Sequence, residues 1–223
     1  MIICLADVLA ESELDDVRDR LNCGSFYAGS ETAGWAAREV KKNMQLDAKD
    51  KDWAKLQRTV REALQCHDVF TLAASPRTIS PVLFSKYEQG MGYGDHVDNA
   101  VMGGDRPFRS DLSFTIFLSA PEEYEGGELA IEDTTGVQTF KLPAGSMVLY
   151  PSTSLHRVET VTAGVRQVAV GWIQSMVREA ERRQILFDLE TLRRQMFSQG
   201  GKTSEFDILS KTVSNLWRMW SDL

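Results

Sequence analysis

The sequence predicts an α+β protein: a double-sheet jelly-roll core with N-terminal packing helices and a C-terminal helical pair. Three observations predict it. Residues 77–174 break into eight short apolar runs separated by turn residues, the pattern of an all-β sandwich or barrel. Residues 1–76 carry apolar positions at helical spacing, and residues 175–223 repeat that spacing on both sides of a Gly200-Gly201 break.

In the first zone Ser12 reads as an N-cap with Asp15 three residues on, and Leu14, Val17 and Leu21 follow on one helical face. A second helix is expected over 50–66, with Trp53, Leu56, Val60 and Leu64 as its apolar face. Residues 36–46 fit strand or helix equally well. The strands of the second zone are expected at 79–87, 95–99, 111–118, 127–132, 137–141, 146–150, 155–160 and 165–173. Hairpins are expected at Thr135-Gly136, Pro143-Ala144-Gly145 and Ala163-Gly164. In 111–118, Leu112, Phe114, Ile116 and Leu118 alternate with Asp111, Ser113, Thr115 and Phe117, so one face is core and the other partly polar, as a barrel mouth requires. In the tail, Ile185, Leu189, Leu192 and Met196 mark one helix face and Leu209, Val213, Leu216 and Trp220 the other. Such faces must be buried, on the barrel or on another subunit, and a homo-oligomer through these helices is expected.

Composition narrows the function classes. A net charge of -7 and a pI near 5.1 argue against a nucleic-acid partner, which needs concentrated Lys and Arg. No stretch approaches the roughly 20 apolar residues of a membrane helix, so no membrane partner is expected. Cys4, Cys23 and Cys66 are odd in number and scattered, which fits reduced thiols. Met1-Ile2-Ile3-Cys4-Leu5 lacks the basic head of a signal peptide. A cytoplasmic protein is expected.

The chemistry is concentrated in the histidines, of which the chain has three. His96 opens His96-Val97-Asp98, and in a strand these two polar residues share a face. His156 lies 60 residues on, in an apolar strand-like run, with Arg166 ten residues beyond it. Two imidazoles and one carboxylate form the ligand set of non-haem Fe(II) oxygenases, which leaves open positions for a co-substrate and dioxygen. If that co-substrate is 2-oxoglutarate, its distal carboxylate needs a fixed cation. Arg166 is the natural candidate, on a strand returning by a tight hairpin from the one carrying His156. Tyr87 is a second candidate, through its hydroxyl. A lone HxD is a weak signal, and the combination is what carries weight. His67 reads as a helix-end or surface histidine, Arg106 and Arg109 as substrate-facing or merely solvated, and Tyr93 as a substrate contact or a stiffener of the Gly-rich loop 90–94.

The segments Tyr87-Glu88-Gln89-Gly90, Tyr93 through Ala100, Arg109 through Ser113, Tyr124 through Leu129, and Leu155 through Val158 followed by Gly164-Val165-Arg166 resemble the bacterial PKHD-type hydroxylases. These belong to the prolyl 4-hydroxylase-like Fe(II)/2-oxoglutarate dioxygenases, and within them the chain looks most like the PiuC-like proteins associated with iron uptake. The resemblance covers nearly the whole chain. It implies a double-stranded β-helix with His96, Asp98 and His156 on iron, Arg166 on 2-oxoglutarate, and a dependence on ascorbate. The implied reaction decarboxylates 2-oxoglutarate to succinate with dioxygen and hydroxylates a small-molecule or peptide substrate, with no catalytic residue beyond the metal ligands. An acidic Asp98, where Ala or Gly would admit a halide, favours hydroxylation over halogenation.

Two other readings use the same residues. One keeps the fold with Zn or Mn in place of iron, as in cupin-like hydrolases. The other is a non-catalytic iron or 2-oxoglutarate sensor that signals through the helical tail.

Overall fold

The computed structural model describes residues 1–222 apart from Ala33 and Ala36. Two antiparallel sheets face each other. The larger runs, edge to edge, Ile3–Leu5, Met147–Pro151, Leu112–Phe117, Arg166–Ser175, Leu83–Tyr87, Met44–Leu46 and Phe26–Ala28, with Pro76–Ile79 also paired to Arg166–Ser175. The smaller runs Gly136–Phe140, Leu129–Asp133, His156–Val158, Gly92–His96 and Lys41–Lys42. Alternation along each strand splits its residues between two environments. In Leu112–Phe117, Phe114 and Ile116 join a core beneath the helices, whereas Ser113 and Thr115 line a cavity between the sheets and Phe117 packs beside it.

The helices behave as their patterns require, with two exceptions. Helix α1 (Glu11–Asn22) buries Val17 and Leu21, and α2 (Trp53–Cys66) buries Leu56, Val60 and Leu64 against the larger sheet. Ser12 is not the cap of α1: the chain turns in at Ala10, whose N–H donates to Glu13 Oε2 at 2.9 Å, so the helix starts ahead of the expected point. A further helix, α3 (Asp68–Ala74), follows α2 directly, and His67 Nδ1 caps it by accepting from Phe70 N at 3.2 Å. That is a structural duty, as its position at a helix end implied. The tail forms α4 (Ala180–Gly200) and α5 (Ser204–Trp220), which pack on each other around Leu186 and Val213. Helix α5 uses the expected face. Helix α4 uses it only in part: Leu189 packs against this cluster, but the buried positions are Arg183, Leu186 and Glu190, and Ile185 and Leu192 are exposed, because the Arg183 guanidinium donates to the carbonyls of Val177 and Arg178 and turns that side inward. The chain end returns to the barrel, where Asp222 N donates to Met176 O at 2.7 Å.

The turns differ more. Asp133 pairs with Gly136, so that hairpin forms as expected. Pro143-Ala144-Gly145 and Ala163-Gly164 close no hairpin. Pro143-Ala144-Gly145 carries the chain from the smaller sheet to the larger, as a jelly roll demands, whereas Ala163-Gly164 ends a strand that pairs with Tyr124–Gly126 in a separate two-stranded ladder before the chain enters the larger sheet. His156 and Arg166 therefore lie on facing sheets, not on neighbouring strands. The expected strand 79–87 is split at Ser80-Pro81-Val82, where proline cannot donate to a ladder. Within 36–46, a short 3₁₀ turn at Ala37–Glu39 leads into strand, broken at Asn43. No described helix is long and apolar enough to cross a membrane.

Candidate active site

His156 and His96 sit opposite each other in register on neighbouring strands of the smaller sheet. Strand pairing ends at His96, so Asp98 lies in the loop beyond it and not on the same strand as expected. The bend serves the same end. One donor atom from each of His96, Asp98 and His156 lies within 4.8 Å of the others, and His156 Nε2 is 3.8 Å from Asp98 Oδ2.

Hydrogen bonds select which atoms are offered. His96 Nδ1 lies 2.8 Å from Gly94 O, and His156 Nδ1 lies 3.0 Å from Ser154 O. A carbonyl only accepts, so both Nδ1 atoms carry hydrogen and both Nε2 atoms present a lone pair inward. Ser113 Oγ donates to Asp98 Oδ2 at 2.6 Å and is itself 2.7 Å from Ser152 Oγ, which orients the carboxylate. Burial, then the neighbouring His156, pulls His96 down to about 4. Near neutral pH its imidazole is uncharged, the form a metal would need. The Tyr93 ring stacks on His96 at 3.5 Å between centroids and fixes its plane. Tyr93 thus stiffens the site and also lines the cavity.

Across the cavity stands Arg166, 1% exposed, with Nε, Nη1 and Nη2 all lacking a hydrogen-bond partner. Its carbon Cζ lies 5.0 Å from the Tyr87 ring centroid and 5.5 Å from that of Phe117, so aromatic faces hold the charge in place. Tyr87, paired with Arg166 in register, meets the guanidinium through its ring. Beside Arg166 the buried Tyr124 hydroxyl likewise makes no hydrogen bond of good geometry. Sequence reasoning gave Tyr124 no role. Its signal was present in the Tyr-Glu-Gly-Gly run, where Gly127 adopts φ 67° and a Cβ would lie 3.0 Å from Arg166 Cδ. The glycine makes room for the arginine.

The cavity measures about 340 Å³ and is lined by His96, Asp98, His156, Arg166, Tyr87, Tyr93 and the polar face of Leu112–Phe117. Arg109 and Arg106 are not among its lining residues. Arg109 is bidentate to Asp111, at 2.6 and 3.0 Å, and lies 3.5 Å from Asp222, so it anchors the chain end.

Facing sheets with an HxD…H cluster opposite an unpaired buried arginine define the class of the 2-oxoglutarate- and Fe(II)-dependent oxygenases. Residues 82–174 match the model of the 2OG-Fe(II) oxygenase superfamily. The fold is shared, at low sequence identity, with two solved enzymes. A Trichoplax adhaerens prolyl hydroxylase, solved with a hypoxia inducible factor peptide fragment, gives a TM-score of 0.58 at 15% identity over 83% of this chain and 86% of that one. A Pseudomonas putida prolyl-4-hydroxylase gives 0.53 at 17%, over 78% and 92%. Closer in sequence, a PKHD-type hydroxylase of Acaryochloris marina is 52% identical over 222 residues, covering 100% of both chains, and one of Rippkaea orientalis is 52% identical over 220 residues, covering 99% of each. The chain belongs to the PKHD-type hydroxylases and is an Fe(II)/2-oxoglutarate-dependent dioxygenase.

Proposed function

We propose that His96, Asp98 and His156 hold the iron, that Arg166 with the Tyr124 hydroxyl seats the distal carboxylate of 2-oxoglutarate, and that the enzyme hydroxylates a small-molecule or peptide substrate. One observation carries this reading. A guanidinium at 1% exposure with every nitrogen unpartnered is too costly to keep unless an anion completes it. A planar carboxylate matches its fork. Tyr87 contributes its ring as a platform. Bound iron with 2-oxoglutarate and dioxygen supplies the oxidising power, releasing succinate and carbon dioxide. The chain's own part is to orient: carbonyls of Gly94 and Ser154 set the imidazoles, Ser113 sets Asp98, and the apolar walls exclude water.

Further readings belong to the same proposal. A link to iron uptake and a need for ascorbate are supported by the family resemblance. A homo-oligomer through the tail is supported by Ile185, Leu192, Phe197, Ile208 and Met219, apolar residues left exposed on α4 and α5. Absence of a nucleic-acid partner is supported by the net charge of -7. A cytoplasmic location is supported by three free cysteines.

The test combines Fe(II) and 2-oxoglutarate without oxygen and looks for the weak visible charge-transfer band of the chelate, then admits oxygen and measures succinate. Both signals are expected. A band with no succinate under any substrate screen favours the sensor, and no band with tight zinc binding favours a zinc enzyme.

A further inference from the structure

One wall of the cavity comes from outside residues 82–174. Strand Lys41–Lys42 of the smaller sheet passes through Asn43 into strand Met44–Leu46 of the larger one, and Lys41, Asn43 and Gln45 all line the cavity. Gln45 is satisfied, its Oε1 accepting from Thr32 Oγ1 at 2.6 Å. Asn43 is not: it is 5% exposed, and neither atom of its amide makes a hydrogen bond of good geometry, the Tyr87 hydroxyl being the polar group beside it. Lys41 Nζ donates to Thr32 Oγ1 at 3.1 Å and sits 5.3 Å from the centroid of the Tyr93 ring that stacks on His96. Among the described residues no carboxylate lies within 4.0 Å of it.

Charge balance assigns this lysine. On the reading above, ferrous iron and Arg166 bring three positive charges, and Asp98 with the two carboxylates of 2-oxoglutarate brings three negative ones. The loaded centre is neutral, and Lys41 is the cavity cation left over. Desolvation already works against its charge, pulling it down to about 8, with Asp98 opposing the pull. A half-buried, unpaired ammonium beside a neutral centre is completed by an anion from the one component still to enter. We infer that the molecule hydroxylated bears a carboxylate that docks on Lys41 Nζ, with the Asn43 amide free to hydrogen-bond a neighbouring polar group of the same molecule. The inference rests on the cofactor assignment of the preceding subsection.

The probes are N-acetyl-L-amino acids and their matched carboxamides, titrated calorimetrically without oxygen into enzyme loaded with Fe(II) and 2-oxoglutarate, after the charge-transfer band has verified loading. The best-binding acid is expected to bind roughly tenfold tighter than its carboxamide, the worth of one charge-assisted contact. Lys41→Gln and Lys41→Met are expected to bring acid and carboxamide to parity, and Lys41→Arg to restore the preference. Methyl phosphate added as a competitor displaces the acid less well than acetate if the site takes carboxylates. Wild-type protein that develops the band yet shows no acid preference overturns the inference, as does a preference that survives in both neutral variants. Weaker 2-oxoglutarate binding in Lys41→Gln with the acid preference intact overturns it too, moving Lys41 to the co-substrate. Wild-type protein that develops no band defeats the cofactor assignment itself.

Discussion

His96 and His156 face each other across an antiparallel strand pair, their rings 4.2 Å apart at 49°, and each donates its Nδ1–H to the carbonyl two residues before it. The repeated local device points both Nε2 atoms to one spot. Asp98, arriving from the loop, needs a separate support.

That support is Ser113, so Ser113→Ala is expected to lower iron affinity by about 10- to 100-fold while leaving the fold intact. Competition against a chelating dye measures it, with circular dichroism as the control. Asp98→Ala is expected to abolish oxygen-dependent succinate formation. Unchanged affinity in Ser113→Ala would show that the serine pair does not hold the carboxylate.

Arg166→Ala is expected to raise the 2-oxoglutarate requirement on the order of a hundredfold, and Tyr124→Phe about tenfold. Arg166→Met makes a sharper test. It removes a buried charge that has no partner, so the co-substrate-free variant should melt no lower than wild type, while losing the thermal stabilisation that 2-oxoglutarate confers. A variant still stabilised by 2-oxoglutarate would place the carboxylate elsewhere.

The metal-free protein should lose stability on acidification through the His96 window. Its folded value, about 4, lies below the ~6.5 of a free imidazole. Between these values the unfolded chain holds the proton and the folded chain does not, so stability falls as pH drops from ~6.5 towards about 4. Melting curves with a chelator present should slope less across this range in His96→Asn. Parallel slopes in the two proteins would refute the assignment.

Leu186→Ala is expected to cost about 2–4 kcal/mol, because Leu186 is 1% exposed at the centre of the α4–α5 cluster. That cluster contains no cavity-lining residue, so iron and 2-oxoglutarate binding should be retained. Denaturant unfolding alongside the band measurement separates the two effects.

Local pattern carried much of this protein. Period-two alternation assigned Ser113 and Thr115 to the partly polar face of Leu112–Phe117, because a pleat leaves no other choice. Period 3.6 assigned the buried faces of α1, α2 and α5 for the same kind of reason. On α4 it placed Leu189 correctly but not Ile185, which is outside while Arg183 is inside: hydrophobic spacing does not register a guanidinium that carbonyls draw inward.

The residues of the candidate metal cluster were legible as types at a spacing, and their convergence was not. Whether a glycine-rich turn closes a hairpin or passes the chain to the opposite sheet depends on pairing between distant segments. That pairing put Arg166 across the cavity from His156 instead of beside it. The same long-range packing left Arg166 and Tyr124 without partners and turned Lys41 and Asn43 into a cavity wall. The sequence by itself determined which side chains were available and which faces were apolar. Only the tertiary structure decided which polar groups would be buried unpaired, because desolvation is a property of the whole packed chain and not of any segment of it.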